Sequence, residues 1–224
     1  MCKITIYEKM KQKGAHMKTI VFEGGEGSGK GTVINNLEKY LKEKGYSVLR
    51  TREPGGTKIN EAIREVIVDD ENTNMCGMTE ACLFAACRAQ LLNEVIRPAL
   101  QSNAADFMLI DRYVYSSYVY QGFARSLGYN LVKTINDIAT DSWHPDMVIY
   151  LDIEPKRALE RIAKNNRETN RLDKESLDFH DKVRQGYLIL ADEFSNFHIV
   201  DADNEPEAVL KNVVEQLERE FGEI

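Results

Sequence analysis

Short apolar runs alternate along this chain with segments in which apolar residues recur every three or four positions. The runs are bounded by turn residues and are typical of buried strands, whereas the longer period is typical of amphipathic helices. The predicted strands are 19–23, 46–51, 107–111, 147–152 and 197–200. The predicted helices are about 30–44, 57–69, 79–101, 113–126, 130–142, 155–165, 174–193 and 205–221. Strands that alternate with helices predict an α/β fold with a five-stranded parallel sheet covered by helices on both faces.

Composition narrows the class of protein. A chain of 224 residues suits one domain with a substantial core, expected over 18–224. The net charge of -7 argues against a nucleic-acid surface. No apolar run approaches ~18 residues, so no membrane span is expected. Four cysteines without a CxxC pair or zinc spacing favour a reduced, cytoplasmic protein. Residues 1–17 are basic without a signal-peptide core, and Gly14-Ala15-His16-Met17 suggests an added leader.

A glycine-rich segment follows the first predicted strand and opens the first predicted helix. Its residues are Gly24, Gly25, Glu26, Gly27, Ser28, Gly29 and Lys30, followed by Gly31 and Thr32. Strand, glycine turn and helix N-terminus together place backbone N–H groups around a phosphate, and the lysine reaches the outer phosphates. We therefore predict that this segment binds ATP as a P-loop. The hydroxyl residue that usually follows the lysine is absent, because Gly31 occupies that position and Thr32 comes one place later.

The third predicted strand ends in a carboxylate, Asp111, followed by Arg112. Ligands of open α/β sheets bind beyond the carboxyl ends of the strands, so Asp111 is placed to hold Mg²⁺ directly or through water. The alternative is a helix N-cap at Asp111, with Arg112 balancing its charge.

Charge dominates the segment Lys164-Asn165-Asn166-Arg167-Glu168-Thr169-Asn170-Arg171, which has no apolar face. Most such runs are solvated loops, but cations on a mobile segment also suit a lid over phosphates. The pattern alone leaves both interpretations open.

Two further features are weak in isolation. Arg52-Glu53-Pro54-Gly55-Gly56-Thr57 ends the second predicted strand and is consistent with a simple turn that has Thr57 as an N-cap. Phe84 and Arg88 share one helix face, where an aromatic ring and a fork of donors suit a nucleotide base, although Phe in a helix is usually core.

Taken in order, the motifs resemble the thymidylate kinase family, most closely its bacterial form, over residues 18–221. The matching segments are 22–30, Arg52-Glu53-Pro54-Gly55-Gly56-Thr57, Thr79-Glu80-Ala81, Leu83-Phe84-Ala85-Ala86 with Arg88, Asp111-Arg112-Tyr113, Ser116-Ser117, Tyr120-Gln121-Gly122 and Arg171-Leu172-Asp173. The resemblance implies a P-loop NTPase fold with a short mobile lid at about 164–173, and a homodimer.

The resemblance also implies roles for single residues. Phe84 would stack on thymine, Arg88 and Gln121 would hydrogen-bond its edge, and Ser117 would lie nearby. The sugar-phosphate end of dTMP would be held by Glu53, Arg64 and Arg112, and Tyr120 would crowd the place of a ribose 2′-hydroxyl. Because the phosphate loop has Glu26 where some relatives carry arginine, Arg167 and Arg171 of the lid become the expected transition-state arginines. The adenine is expected near Asp201-Ala202-Asp203-Asn204.

Two positions depart from the family pattern. Lys30-Gly31-Thr32 resembles adenylate kinases and puts direct hydroxyl ligation of Mg²⁺ in question. Tyr115 stands where relatives often have an acidic residue.

The expected activity is phosphorylation of dTMP to dTDP by ATP with Mg²⁺, with Lys30, Asp111, Arg112, Arg167 and Arg171 as the catalytic set. No nucleic-acid or membrane partner is expected. Alternatives are another nucleoside monophosphate kinase, adenylate kinase-like, or a GTP-dependent switch. The switch is disfavoured because the chain has no Asn-Lys-x-Asp motif and no glycine three residues after Asp111.

Overall fold

Five parallel strands form the centre of the computed structural model, which describes residues 16–164 and 171–224. The strands lie in the order β2-β3-β1-β4-β5, so that β1 occupies the middle of the sheet. Their bounds are Lys18–Glu23 (β1), Val48–Arg52 (β2), Phe107–Asp111 (β3), Met147–Asp152 (β4) and Phe197–Asp201 (β5). The predicted parallel five-stranded sheet is confirmed, and each apolar run lies within two residues of a strand.

Helices connect the strands and cover both faces of the sheet. Their bounds are Lys30–Glu43 (α1), Lys58–Val68 (α2), Gly77–Leu91 (α3), Arg97–Ser102 (α4), Val114–Ser117 (α5), Tyr129–Thr140 (α6), Pro155–Lys164 (α7), Leu177–Glu193 (α8) and Pro206–Phe221 (α9). Thr57 caps α2 by accepting from the Asn60 N–H at 3.2 Å, as the sequence predicts. No helix of the described ranges is long and apolar enough to cross a membrane.

Two of the predicted helices contain wider π-helical turns, at Leu92–Ile96 and Tyr118–Ala124. Pro98 lies two residues beyond the end of the first segment, in the first turn of α4. Proline lacks an N–H and its ring collides with the carbonyl four residues earlier, so a wider turn there relieves the conflict. The second π segment carries Tyr120 and Gln121, both predicted to contact the acceptor nucleotide.

Alternating strand residues supply two separate apolar layers. Val21, Ile110 and Tyr150 face one layer, which is completed by α3, α6 and α8. Ile20 and Leu109 face the other, which is completed by α1 and α9. Burial on both faces explains why the central strands have continuous apolar sequences instead of alternating ones.

Parallel register aligns the carboxyl ends of the strands. Phe22 of β1 pairs with Asp111 of β3 on one side and with Ile149 of β4 on the other. The phosphate loop after β1 and the Asp111-Arg112 segment after β3 therefore meet at one edge of the sheet.

Tyr115, the residue at the family's acidic position, belongs to an aromatic cluster. Its ring is fully buried and lies edge-on to Tyr118, Phe194 and Phe197 at centroid distances of 6.0, 5.3 and 5.4 Å. The side chain packs within the apolar layer, against the end of α8 and the start of β5, and supplies no carboxylate to the cleft.

We expect Tyr115→Asp to lower the free energy of unfolding by at least about 3 kcal/mol, because it buries an unpaired carboxylate among aromatic rings. Tyr115→Phe, the matched control, keeps the ring and should change stability by less than about 1.5 kcal/mol. Urea denaturation of both variants measures the difference. Equal stability of Tyr115→Asp and wild type would contradict the packing role.

Candidate functional site

A cleft of about 720 Å³ opens at the carboxyl edge of the sheet. One end is formed by the phosphate loop and the start of α1, and the other by α2, α3 and the second π segment. Most predicted site residues line it: Glu26, Gly27, Ser28, Gly29, Lys30, Gly31, Thr32, Glu53, Arg64, Phe84, Asp111, Arg112, Ser117, Tyr120 and Gln121. Leu172 of the predicted lid and Ala202 and Asn204 of the predicted adenine region line it too.

Glycine is required in the phosphate loop for a steric reason. Gly27 has φ 74°, and a Cβ there would lie 2.3 Å from the carbonyl oxygen of Ala158 on α7. The loop thus passes against the first turn of α7 with no room for a side chain. Gly29, at φ 83°, then turns the chain into α1, whose first residue is Lys30. Lys30, Gly31 and Thr32 line the cleft, so the first turn of the helix, whose N–H groups have no partner within the helix, is available to bind phosphate.

Lys30 is buried, and its ammonium group donates to the carbonyl oxygens of Gly24 at 3.0 Å and Gly25 at 3.2 Å. Burial, with the nearby charge of Arg112, lowers the pKa of Lys30 to about 8. Both effects disfavour the charged form of the Lys30 side chain. A bound polyphosphate reverses the balance, because it brings negative charge to the ammonium group.

Arg112 has a backbone φ of 69°, a left-handed conformation that is unusual outside glycine. Its guanidinium pairs with Glu26 of the phosphate loop at 2.6 Å and donates to Ser116 Oγ at 3.1 Å. The Tyr120 hydroxyl donates to the same Glu26 carboxylate at 3.1 Å. A cation predicted to bind the acceptor is therefore held by an anion of the donor-binding loop.

Two buried polar atoms beside these cations have no hydrogen-bond partner among the described residues, Asp111 Oδ1 and Ser28 Oγ. Mg²⁺ is commonly held by one or two carboxylates together with substrate phosphates and water. An unsatisfied carboxylate oxygen next to a phosphate loop suits that arrangement. The described residues contain no group of three or more His, Cys, Asp or Glu side chains able to hold a metal by themselves.

The opposite wall has the composition of a base-binding surface. Phe84 is half-buried and lines the cleft, so its ring is accessible for stacking. Gln121 lines the same wall, and its amide nitrogen donates to Glu80 at 2.8 Å. Arg64 lies at the mouth and donates to the Pro54 carbonyl at 3.1 Å.

Arg88 lies behind this wall and is only 1% exposed. It binds Glu53 through Nε at 2.7 Å, and it also donates to Ser117 Oγ, the Asn136 amide oxygen and the Tyr113 carbonyl. Burial raises the pKa of Glu53 to about 7, although the charge of Arg88 acts in the opposite direction. The donors of Arg88 are thus directed at protein acceptors, and these hydrogen bonds hold Glu53 and Ser117 in the wall.

Only one of the two predicted lid arginines can be placed, because Arg167 lies outside the described residues. Arg171 is 12% exposed, and it donates to the Ile67 carbonyl at the end of α2 and to Glu80 at 2.5 Å. These contacts anchor the C-terminal end of the predicted lid against α2 and α3.

Two buried carboxylates of the site belong to the matching segments, but the sequence assigns them no role. Glu23, the last residue of β1, accepts from the Tyr113 N–H, the Ser116 hydroxyl and the Tyr187 hydroxyl at 2.8, 2.6 and 2.8 Å. Glu80 accepts from Gln121, Arg125 and Arg171. A carboxylate that ends an otherwise apolar strand is the signal for Glu23. The partners of Glu80 come from distant parts of the chain.

These elements define a P-loop nucleotide-binding protein: a strand, a glycine-rich loop and a helix in succession, with an aspartate at the end of β3.

The family model described as thymidylate kinase matches residues 22–213. The chain belongs to the thymidylate kinase family. It is 54% identical over 180 residues to a thymidylate kinase of Geobacillus sp. strain WCH70, covering 80% of this chain and 85% of that protein. Thymidylate kinases of Bacillus pumilus and Thermoanaerobacter sp. strain X514 are 49% and 46% identical and cover 87% and 90% of this chain, and 92% and 98% of their own lengths.

The lowered pKa of Lys30 predicts that ATP affinity falls as pH rises above about 8. Above that value Lys30 is deprotonated in the free protein. It must take up a proton again when the polyanionic ATP binds. Titration calorimetry should give a dissociation constant that rises toward tenfold per pH unit, with proton uptake on binding.

Lys30→Arg is the matched control, because arginine stays charged throughout this range. Its dissociation constant should be nearly independent of pH between 7 and 10. Wild-type affinity that is constant over the same interval would contradict the assignment.

Proposed function

We propose that the chain transfers the γ-phosphoryl group of ATP to dTMP, forming ADP and dTDP. The observation that carries the proposal is one continuous cleft with a phosphate loop at one end and an aromatic, amide-bearing wall at the other. Arg112 lies between the two ends and is held by Glu26 of the loop. Membership in the thymidylate kinase family supports the same acceptor.

The reaction needs positioning more than proton transfer. A phosphate monoester has a second pKa of ~6, so the attacking oxygen of dTMP is already largely anionic at neutral pH. That oxygen forms the new bond to the γ-phosphorus while the bond to the β-phosphate oxygen breaks, and ADP leaves with the electron pair. The main obstacle is repulsion between two polyanions, which fixed cations reduce.

Lys30, Arg112 and the lid arginines supply those cations. Lys30 neutralises the donor phosphates, and Arg112 exchanges Glu26 for the acceptor phosphate when dTMP enters. Mg²⁺ fits the site through Asp111 Oδ1, directly or through water, and when bound it adds positive charge among the triphosphate oxygens. Asp111 is thus assigned to the metal side of the cleft and not to proton abstraction.

Selection of dTMP is assigned to the wall of the cleft that carries Phe84 and Gln121, opposite the phosphate loop. Phe84 stacks on the base, and Ser117 and Gln121 provide polar groups at its edge. Arg88 supports this edge from behind the wall through its hydrogen bond to Ser117. The Tyr120 ring lies near Arg112, with the guanidinium carbon 5.3 Å from the ring centroid. We assign to this ring the space that a ribose 2′-hydroxyl would need, as the family resemblance implies, so that deoxynucleotides would be the preferred acceptors.

Alternative acceptors provide the test of this function. ADP release is measured from MgATP with dTMP, dUMP, AMP, CMP or no acceptor. We expect the highest kcat/KM for dTMP and little release without an acceptor. A preference for AMP would favour the adenylate kinase-like alternative suggested by Lys30-Gly31-Thr32. In a parallel assay with MgGTP and no acceptor, GDP release would favour a switch.

Loss of both lid arginines should lower turnover. Arg167→Ala combined with Arg171→Ala is expected to reduce kcat by ~10³-fold or more, the range known for arginine fingers. Lys174→Ala, the matched control, removes an exposed cation just beyond the predicted lid that pairs with Asp70, and it should leave kcat unchanged. If the double variant retained most of its turnover, the segment would be a solvated loop and not a catalytic lid.

Metal dependence tests the unusual Gly31. A Cβ at this position meets no atom within 4 Å among the described residues, so Gly31→Thr should fold normally. The added hydroxyl is expected to lower the Mg²⁺ concentration needed for half-maximal rate, and Asp111→Asn is expected to raise it. A large metal defect confined to Thr32→Ala would instead show that the hydroxyl ligand has shifted by one residue.

A cytoplasmic homodimer completes the proposal. Exposed apolar pairs seven residues apart lie on α2, at Ile59 and Val66, and on α6, at Leu131 and Ile138, and a second copy would cover such stripes. Free thiols at Cys76, Cys82 and Cys87 suit a reducing compartment. Sedimentation equilibrium tests the dimer: a monomer at micromolar concentration would contradict it.

A further inference from the structure

Glu80 joins the base wall of the cleft to the segment that carries the predicted lid. It lies in the first turn of α3, and its side chain is 1% exposed. Its carboxylate accepts from Gln121 Nε2 at 2.8 Å, Arg125 Nε at 3.3 Å and Arg171 Nη2 at 2.5 Å. Every one of these partners is distant in sequence.

The surroundings keep this carboxylate ionised. Burial favours the neutral acid, but the hydrogen bonds from Gln121 and Arg171 and the charge of Arg125 outweigh it and hold the pKa of Glu80 below its usual value. The second cation, Arg125, is balanced by Glu175 at 2.5 Å. Glu80 therefore acts only as a hydrogen-bond acceptor.

An acceptor at this place determines the orientation of the Gln121 side chain. An amide has a donor NH₂ and an acceptor oxygen, and only the NH₂ can face an ionised carboxylate. The amide oxygen of Gln121 is then left without a partner. Oε1 is buried and accepts no hydrogen bond from the described residues, although Gln121 lines the cleft. A buried acceptor without a donor is costly unless a ligand supplies one.

We propose that Glu80 is a positioning residue that fixes the Gln121 amide with its oxygen toward the acceptor base. A base with a ring N–H, thymine or uracil, would then supply the missing donor. Cytosine and adenine present an unprotonated ring nitrogen at the corresponding edge, and this nitrogen would face the amide oxygen. The inference rests on the proposed function and assigns base selection to a residue that does not line the cleft.

Glu80→Gln tests the proposal, because the neutral side chain keeps its size but can donate or accept and no longer dictates the Gln121 orientation. The ratio of kcat/KM for dTMP to kcat/KM for dCMP should fall at least about tenfold. Glu175→Gln is the matched control: it neutralises the other carboxylate on Arg125 without touching Gln121, and it should leave the ratio unchanged. A role of Glu80 in anchoring Arg171 alone would lower the rate with both acceptors and would not change the ratio.

A double-variant comparison locates the effect. In a Gln121→Ala background, Glu80→Gln should produce no further change in the dTMP to dCMP ratio, because the amide through which it acts is gone. Additive changes, or an unchanged ratio in the single variant, would overturn the proposal. Calorimetric dissociation constants for dTMP and dCMP without ATP should follow the same pattern, so that selection is measured without turnover.

Wild-type protein provides an independent measurement should Glu80→Gln not fold. The side-chain NH₂ resonances of Gln121, assigned by their loss in Gln121→Ala, should exchange slowly with water both before and after addition of dTMP, because they face Glu80 in both states. Protection that develops only with dTMP would place the NH₂ on the base and overturn the proposal. Wild type that binds dTMP but does not phosphorylate it would contradict the proposed function alone.

Discussion

Buried cations at the carboxyl edge of the sheet, each paired with an anion or with carbonyl oxygens, are the interaction on which the rest of the cleft depends. Lys30 is held by two loop carbonyls, Arg112 by Glu26 and Arg88 by Glu53. A buried charge without a partner would cost several kcal/mol, and here the chain itself supplies the partners. Parallel strand pairing makes this possible, because it aligns the loops that follow β1, β2 and β3.

The same pairs define what a nucleotide must replace. In the proposed reaction, acceptor phosphate would compete with Glu26 for Arg112, and donor phosphate would compete with backbone carbonyls for Lys30. Such exchange preserves charge balance while both polyanions enter, which is the main electrostatic difficulty of transfer between two phosphates. Asp111 Oδ1 and Glu53 Oε1 are both buried without a partner among the described residues, but Glu53 is already paired with Arg88 through its other oxygen. Asp111 is therefore the carboxylate better suited to a divalent ion.

Local pattern predicted the strands, most helices and the phosphate loop, because these depend on periodicity and on glycine at fixed positions. Thr57 shows the same dependence, since its capping role follows from neighbours in sequence. Contacts between distant segments were not predictable in this way. The burial of Tyr115 depends on Phe194 and Phe197, and the π-helical turn that carries Tyr120 and Gln121 is not encoded by periodicity. Glu80 and Arg171 are both in matching motifs, yet only the fold places them in contact.

The central claim is that one cleft holds donor and acceptor together, with their phosphates between Lys30 and Arg112. A probe in which adenosine and thymidine are joined 5′ to 5′ through a pentaphosphate occupies both ends at once, and titration calorimetry measures its binding. The account predicts one molecule per chain, bound more tightly than ATP or dTMP alone and displaced by either. Binding no tighter than that of ATP, and unaffected by saturating dTMP, would contradict a shared cleft.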